Sequence, residues 1–136
     1  MMIRKSTLAA LGASFILGLA VTVSAHADAV KDTAKYDSEF KASVNRGDGL
    51  FHGGIKSTNE VACVQCHPEG SNTHAETYPK YQKQLGKVSQ LWEMINWCVE
   101  NPLESKAFAA DSQDMVDLAA YVTNIRRGYK LEAGKY

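Results

Sequence analysis

Cys63-Val64-Gln65-Cys66-His67 carries the most specific chemistry in the sequence. Two thiols two residues apart with a His directly behind them form the C-x-x-C-H pattern of c-type haem attachment. One helical turn between the thiols lets each sulfur form a thioether to one vinyl group of the porphyrin. His67 then falls where it can offer an imidazole nitrogen to the iron as proximal ligand. Two other chemistries use the same residue types. Cys63, Cys66, Cys98 and a His could form a four-ligand zinc site, and a reactive dithiol would need a preceding strand and a βαβ setting. No such setting is visible, and a single C-x-x-C-H implies one covalent haem.

Haem attachment requires export, and the N-terminus reads as an export address. Arg4 and Lys5 form a basic region, Leu8 to Val23 an uncharged apolar run, and Ala25-His26-Ala27 a small-x-small cleavage site. The apolar run of about 16 residues is short of the roughly 20 that span a bilayer. Residues 1–27 are therefore expected to be a signal peptide, 28–37 a flexible lead-in, and 38–136 a single cytochrome c domain in the periplasm. No stable membrane insertion is expected after cleavage. The chain of 136 residues holds 15 basic and 15 acidic residues. Cleavage removes Arg4 and Lys5 and no acid, leaving a formal charge of −2. That balance excludes nucleic acid as a partner, which calls for a concentrated basic surface.

The iron needs a second axial ligand or an open site, and the candidates are Cys98, Met94, Met115, His74 and His52. Leu91, Met94, Ile95 and Cys98 repeat at i, i+3, i+4 and i+7, one apolar stripe on a helix expected over Ser89 to Val99, with Ser89 as N-cap. Met94 and Cys98 thus share a face one turn apart, and either could reach the iron. A lone Cys on such a stripe is otherwise a buried, inert thiol. His74 lies only seven residues beyond His67, and His52 sits in a Gly-rich loop.

Other elements position these residues. A first helix is expected from about Ser38 to Phe51, where Gly47 either ends the helix or admits a neighbour. His52 to Glu60 reads as a loop, and Glu69 to Lys87 as a long polar loop wrapping the haem edge, with Tyr78 and Tyr81 available to pack on the ring. The last helix has Asp111 and Ser112 as N-cap candidates and Asp114 in the first turn. Met115, Leu118, Ala119, Val122 and Ile125 form its inner stripe, and Gly128 stands beyond its end. No strand-like alternation occurs. The expected fold is all-α, a cytochrome c fold with crossing N- and C-terminal helices.

The run Leu91-Trp92-Glu93-Met94-Ile95-Asn96-Trp97-Cys98-Val99-Glu100-Asn101-Pro102-Leu103, followed by Ala107-Phe108 and Asp111 to Tyr121, resembles haem domains of thiosulfate dehydrogenases and Sox-type sulfur-oxidation cytochromes. The resemblance covers about residues 38–128. It implies that Cys98 is the distal ligand, giving His/Cys coordination, with Met94 as the alternative. Two functions follow as expectations. One is a monohaem electron carrier meeting redox proteins through a transient interface. The other is a haem enzyme or enzyme subunit of thiosulfate oxidation. Trp97 and Glu100 flank the Cys where the enzymes often carry basic residues, and Lys106 is the one basic residue within nine positions of Cys98.

Overall fold

The structure, a computed structural model, describes the backbone of residues 14–131 and side chains from residue 32. The first thirteen positions of the expected signal peptide lie outside the described residues. Helix α1 runs Ser14–Gly49. Residues 28–37, expected as a flexible lead-in, are helical and belong to it. Packing divides the chain into two units after Ser38. In the leading unit, the Ser38 hydroxyl donates to the Lys35 carbonyl at 2.8 Å. Among the described residues, no helix is long and apolar enough to cross a membrane.

The second unit is the all-α domain. The end of α1 enters a single wide turn, Leu50–Gly54, where Gly53 takes φ 122°. Glycine occupies that conformation without the steric cost of a Cβ. Helix α2 is one turn, Cys63–Cys66. Short 3₁₀ turns follow at Pro68–Gly70 and Ala75–Thr77. Helix α3 spans Leu91–Glu100 and helix α4 Gln113–Ile125.

The stretch expected as a structureless loop holds a small hairpin. Strands β1 (Lys80–Gln82) and β2 (Lys87–Ser89) pair antiparallel, with Tyr81 opposite Val88. Gly86, at φ 66°, closes the turn, and its N–H donates to the Gln82 carbonyl at 2.8 Å. Three-residue strands are too short to show a period-2 pattern, so nothing in their hydropathy announced them. The cap of α3 also differs from expectation. Ser89 is buried as the last residue of β2. Gln90 caps the helix instead, its N–H donating to Glu93 Oε2 at 2.8 Å.

Helices α1 and α4 pack at Gly47, the expected meeting of the first and last helices. A Cβ built on Gly47 would stand 2.0 Å from the Asp117 carbonyl oxygen and 2.8 Å from Tyr121 Cβ. Gly47 is thus a close-approach residue inside the helix and does not end it. Beside it, Asp117 is buried within α4. It accepts hydrogen bonds from the Ser43 hydroxyl (2.6 Å), Arg46 Nε (2.6 Å) and Gln113 Nε2 (2.7 Å). These partners hold its carboxyl below the ordinary range, with Arg46 the largest cause.

Phe51, Val99, Leu103, Leu118 and Val122 form the buried apolar centre. The inner stripe of α4 lies where its periodicity put it, with Met115, Leu118 and Val122 buried. Ser112 caps α4 by accepting the Met115 N–H at 3.3 Å. The connector between α3 and α4 is clamped by Asn96. Its Nδ2 donates to the Phe108 carbonyl at 2.8 Å, and its Oδ1 accepts the Phe108 N–H at 2.9 Å.

Candidate haem site

The C-x-x-C-H segment forms the helical turn its spacing calls for. The His67 N–H donates to the Cys63 carbonyl at 3.0 Å. Gln65 Oε1 accepts the Ala62 N–H at 3.0 Å and satisfies a donor at the start of the turn. His67 is oriented by its own backbone neighbourhood, because Nδ1 lies 2.8 Å from the Ser71 carbonyl oxygen. A carbonyl can only accept, so Nδ1 carries the proton and the lone pair of Nε2 is left for a metal. This is the arrangement that fixes a ligating imidazole.

These residues open onto a cavity of about 360 Å³, within the size range of cofactor sites. Cys63, Cys66 and His67 line it, as do Leu91, Met94, Ile95 and Cys98 from α3. Apolar lining comes from Phe51, Val99, Leu103, Leu118 and Val122. The stripe of α3 therefore faces the cavity, and Cys98 is brought to the C-x-x-C-H segment from 31 positions beyond His67. Burial pushes the thiols of Cys63 and Cys98 up to about 11, with the neighbouring cysteines adding to the shift at Cys98.

The other ligand candidates separate. Met115 is fully buried under α4 and does not line the cavity. His52 also stands away from it, with Nδ1 2.9 Å from both the Asp48 carbonyl and its carboxylate. His74 does line the cavity, as does Met94. The zinc alternative is not assembled, since no three His, Cys, Asp or Glu side chains gather into a metal cluster among the described residues. Haem makes a different demand. Two thiols go to the porphyrin rim, one or two donors go to iron, and an apolar wall surrounds the ring. The donor set and lining fit it.

The polar side of the cavity comes from the segment read as an edge loop. Tyr78 lines it, and its hydroxyl accepts a hydrogen bond from Gln82 Nε2. Tyr81 points away and is exposed. Lys80 lines the same cavity as Cys98, its ammonium 4.7 Å from the centre of the Tyr78 ring. Counting basic residues along the chain near Cys98 missed Lys80, because it arrives through the hairpin. Arg126 at the end of α4 pairs with Glu76 through two guanidinium nitrogens, Nε at 2.8 Å and Nη2 at 2.5 Å. This pair anchors the 3₁₀ turn beside the site.

A helical domain presenting a C-x-x-C-H turn to one apolar cavity defines the class, a cytochrome c domain with haem c as its cofactor. A family model described as "SoxA/TsdA, cytochrome c domain" matches residues 46–131, and the chain belongs to that family. Among characterised proteins, a thiosulfate dehydrogenase of Psychrobacter arcticus is 32% identical over 100 residues, covering 64% of this chain and 31% of that protein. A thiosulfate dehydrogenase of Allochromatium vinosum is 28% identical over 87 residues, covering 55% of this chain and 32% of that protein. The chain thus spans about a third of the length of these relatives. No solved structure matches.

Proposed function

We propose that the protein is a periplasmic monohaem electron carrier whose haem is held covalently by Cys63 and Cys66, with His67 as proximal and Cys98 as distal ligand. When bound, haem c supplies one-electron cycling of its iron between the ferric and ferrous states. The observation that carries the reading is the opening of Cys98 onto the same cavity as Cys63, Cys66 and His67. The Ser71 carbonyl holds His67 with Nε2 free to donate. Phe51, Leu118 and Val122 line the cavity and would give the ring an apolar wall. Bound as thiolate, Cys98 favours ferric iron and gives a low potential, whereas Met94 in its place would give a higher one.

The test compares ferric spectra of wild type, Cys98→Ala and Met94→Ala. A near-infrared thiolate-to-iron band is expected in wild type and Met94→Ala, and its loss in Cys98→Ala. An unchanged spectrum in Cys98→Ala removes Cys98 from the iron.

A second reading, a haem subunit of thiosulfate oxidation, is favoured by Lys80. It places a cation in the cavity that Cys98 lines, as an anionic substrate would require. The relatives named as thiosulfate dehydrogenases point the same way. Thiosulfate-dependent reduction of the purified protein, weakened in Lys80→Gln, would support it, and no reduction at saturating thiosulfate would reject it.

A further inference from the structure

The outer face of the β1–β2 hairpin combines exposed apolar side chains with one lysine unpaired among the described residues. Tyr81 and Val88 are directly opposed across the two strands and are 64% and 66% exposed. Trp92, in the first turn of α3, is 39% exposed. The inner face of the same hairpin lines the haem cavity through Lys80 and Gln82.

The charge is equally local. The chain has a formal net charge of zero, yet from Thr77 to Trp92 it carries three lysines, Lys80, Lys83 and Lys87, and no acid. The acids that bound this stretch are both engaged, Glu76 by Arg126 and Glu93 by Lys87. Lys83, on the exposed turn, has no such partner among the described residues. A cross-strand apolar pair beside an uncompensated cation matches the build of a transient interface, with an apolar centre that desolvates and a charged margin that steers.

We propose that this hairpin face is where the carrier docks its redox partner, and that the partner is an acidic protein presenting carboxylates to Lys83 around an apolar patch that covers Tyr81 and Val88. The proposal rests on the electron-carrier reading. Docking there puts one hairpin layer between the partner and the cavity that holds the haem. One electron passes between the two redox centres, one is oxidised and the other reduced, and no atom is transferred.

The test uses the full-length holoprotein in its ferrous form. The probe is an acidic blue-copper protein whose Cu(II) accepts one electron, followed by stopped-flow absorbance, with uncharged p-benzoquinone as a second oxidant. Lys83→Glu is expected to lower the bimolecular rate with the copper protein by about fivefold at low salt and to flatten its fall with ionic strength. Tyr81→Ser combined with Val88→Ser is expected to lower the rate while keeping its salt dependence. Charge reversal on α1, Lys41→Glu, and all rates with benzoquinone should stay as in wild type. Unchanged copper-protein rates in both hairpin variants, with benzoquinone oxidation intact, overturn the docking site and leave the carrier reading standing. Failure of wild type to reduce either oxidant overturns both. A concentration-dependent dimer abolished by Tyr81→Ser and Val88→Ser overturns the acidic partner in favour of a second copy.

Discussion

Gly47 and Asp117 meet where α1 and α4 pack, so closely that a Cβ on Gly47 would stand 2.0 Å from the Asp117 carbonyl oxygen. The obstacle is backbone, which cannot rotate aside as a long side chain can. Gly47→Ala must therefore separate the two helices. A loss of about 3 kcal/mol, or a Tm drop of more than 10 °C, is expected. The ordinary gain from replacing a helical Gly with Ala, ~1 kcal/mol, should not appear. Thermal melts followed by circular dichroism check this, and a stabilised variant would refute the packing.

Asp117 ties the same two helices by charge. It is 1% exposed and accepts from Ser43, Arg46 and Gln113. Asp117→Ala leaves the buried Ser43 hydroxyl and the Arg46 guanidinium without their acceptor, at an expected cost of about 3 kcal/mol. Ser43→Ala, which removes one donor and leaves the carboxylate its other partners, should cost about 1 kcal/mol. Urea denaturation measures both.

Acid should loosen the site-side turn through Glu76. Arg126 holds its carboxyl at about 2, below the ordinary 4.5. The depressed value means the unfolded chain binds the proton first as pH falls. The contribution is therefore complete above about 4.5 and is lost as pH falls towards 2. A share on the order of 2 kcal/mol is expected to disappear across that window. Glu76→Gln should lower stability at neutral pH and flatten the pH dependence between these limits. Melts at pH 7 and pH 3 decide it, and parallel slopes for both proteins would exclude the pair.

The two methionines among the ligand candidates should separate according to their burial and their place relative to the cavity. Met115 is fully buried outside the cavity, so Met115→Ala is expected to cost about 3 kcal/mol while leaving the haem spectrum unchanged. Met94 lines the cavity, so Met94→Ala should cost less and shift the Soret band slightly. A lost axial ligand in Met115→Ala would overturn its placement.

Asn96 offers a test of the connector. Both ends of its amide are spent on the Phe108 backbone, at 2.8 and 2.9 Å. Asn96→Ala leaves a part-buried N–H and C=O unpaired and should cost about 2 kcal/mol. Asn96→Asp, which keeps only the acceptor, should fall between the two. Hydrogen exchange at Phe108 reads the local effect.

Much was legible from residue types and period. The C-x-x-C-H turn, the inward stripe of α3 with Cys98 on it, and α4 with its Ser112 cap follow from local rules, because thiol spacing, 3.6-residue periodicity and capping act within one or two turns. The choice between the two readings of Gly47 was not local. It depended on what stands opposite, and only α4 supplies that. Asp117 precedes Tyr121 by one turn and shares its face, but its partners on α1, Ser43 and Arg46, lie more than 70 positions away. The hairpin escaped because three residues do not make a pattern, and with it went Lys80, the cation that shares the cavity with Cys98.

The sequence alone thus determined the haem-binding turn, the helical class and which side of α3 looks inward, since each is written in spacings of three or four residues. Tertiary structure alone decided which candidates share the cavity. It kept Met94, His74 and Cys98 and removed Met115 and His52. It also made the hairpin both a wall of the site and an exposed face that carries Tyr81, Val88 and Lys83. Those outcomes depend on segments far apart in the chain meeting in space, and no local periodicity encodes such a meeting.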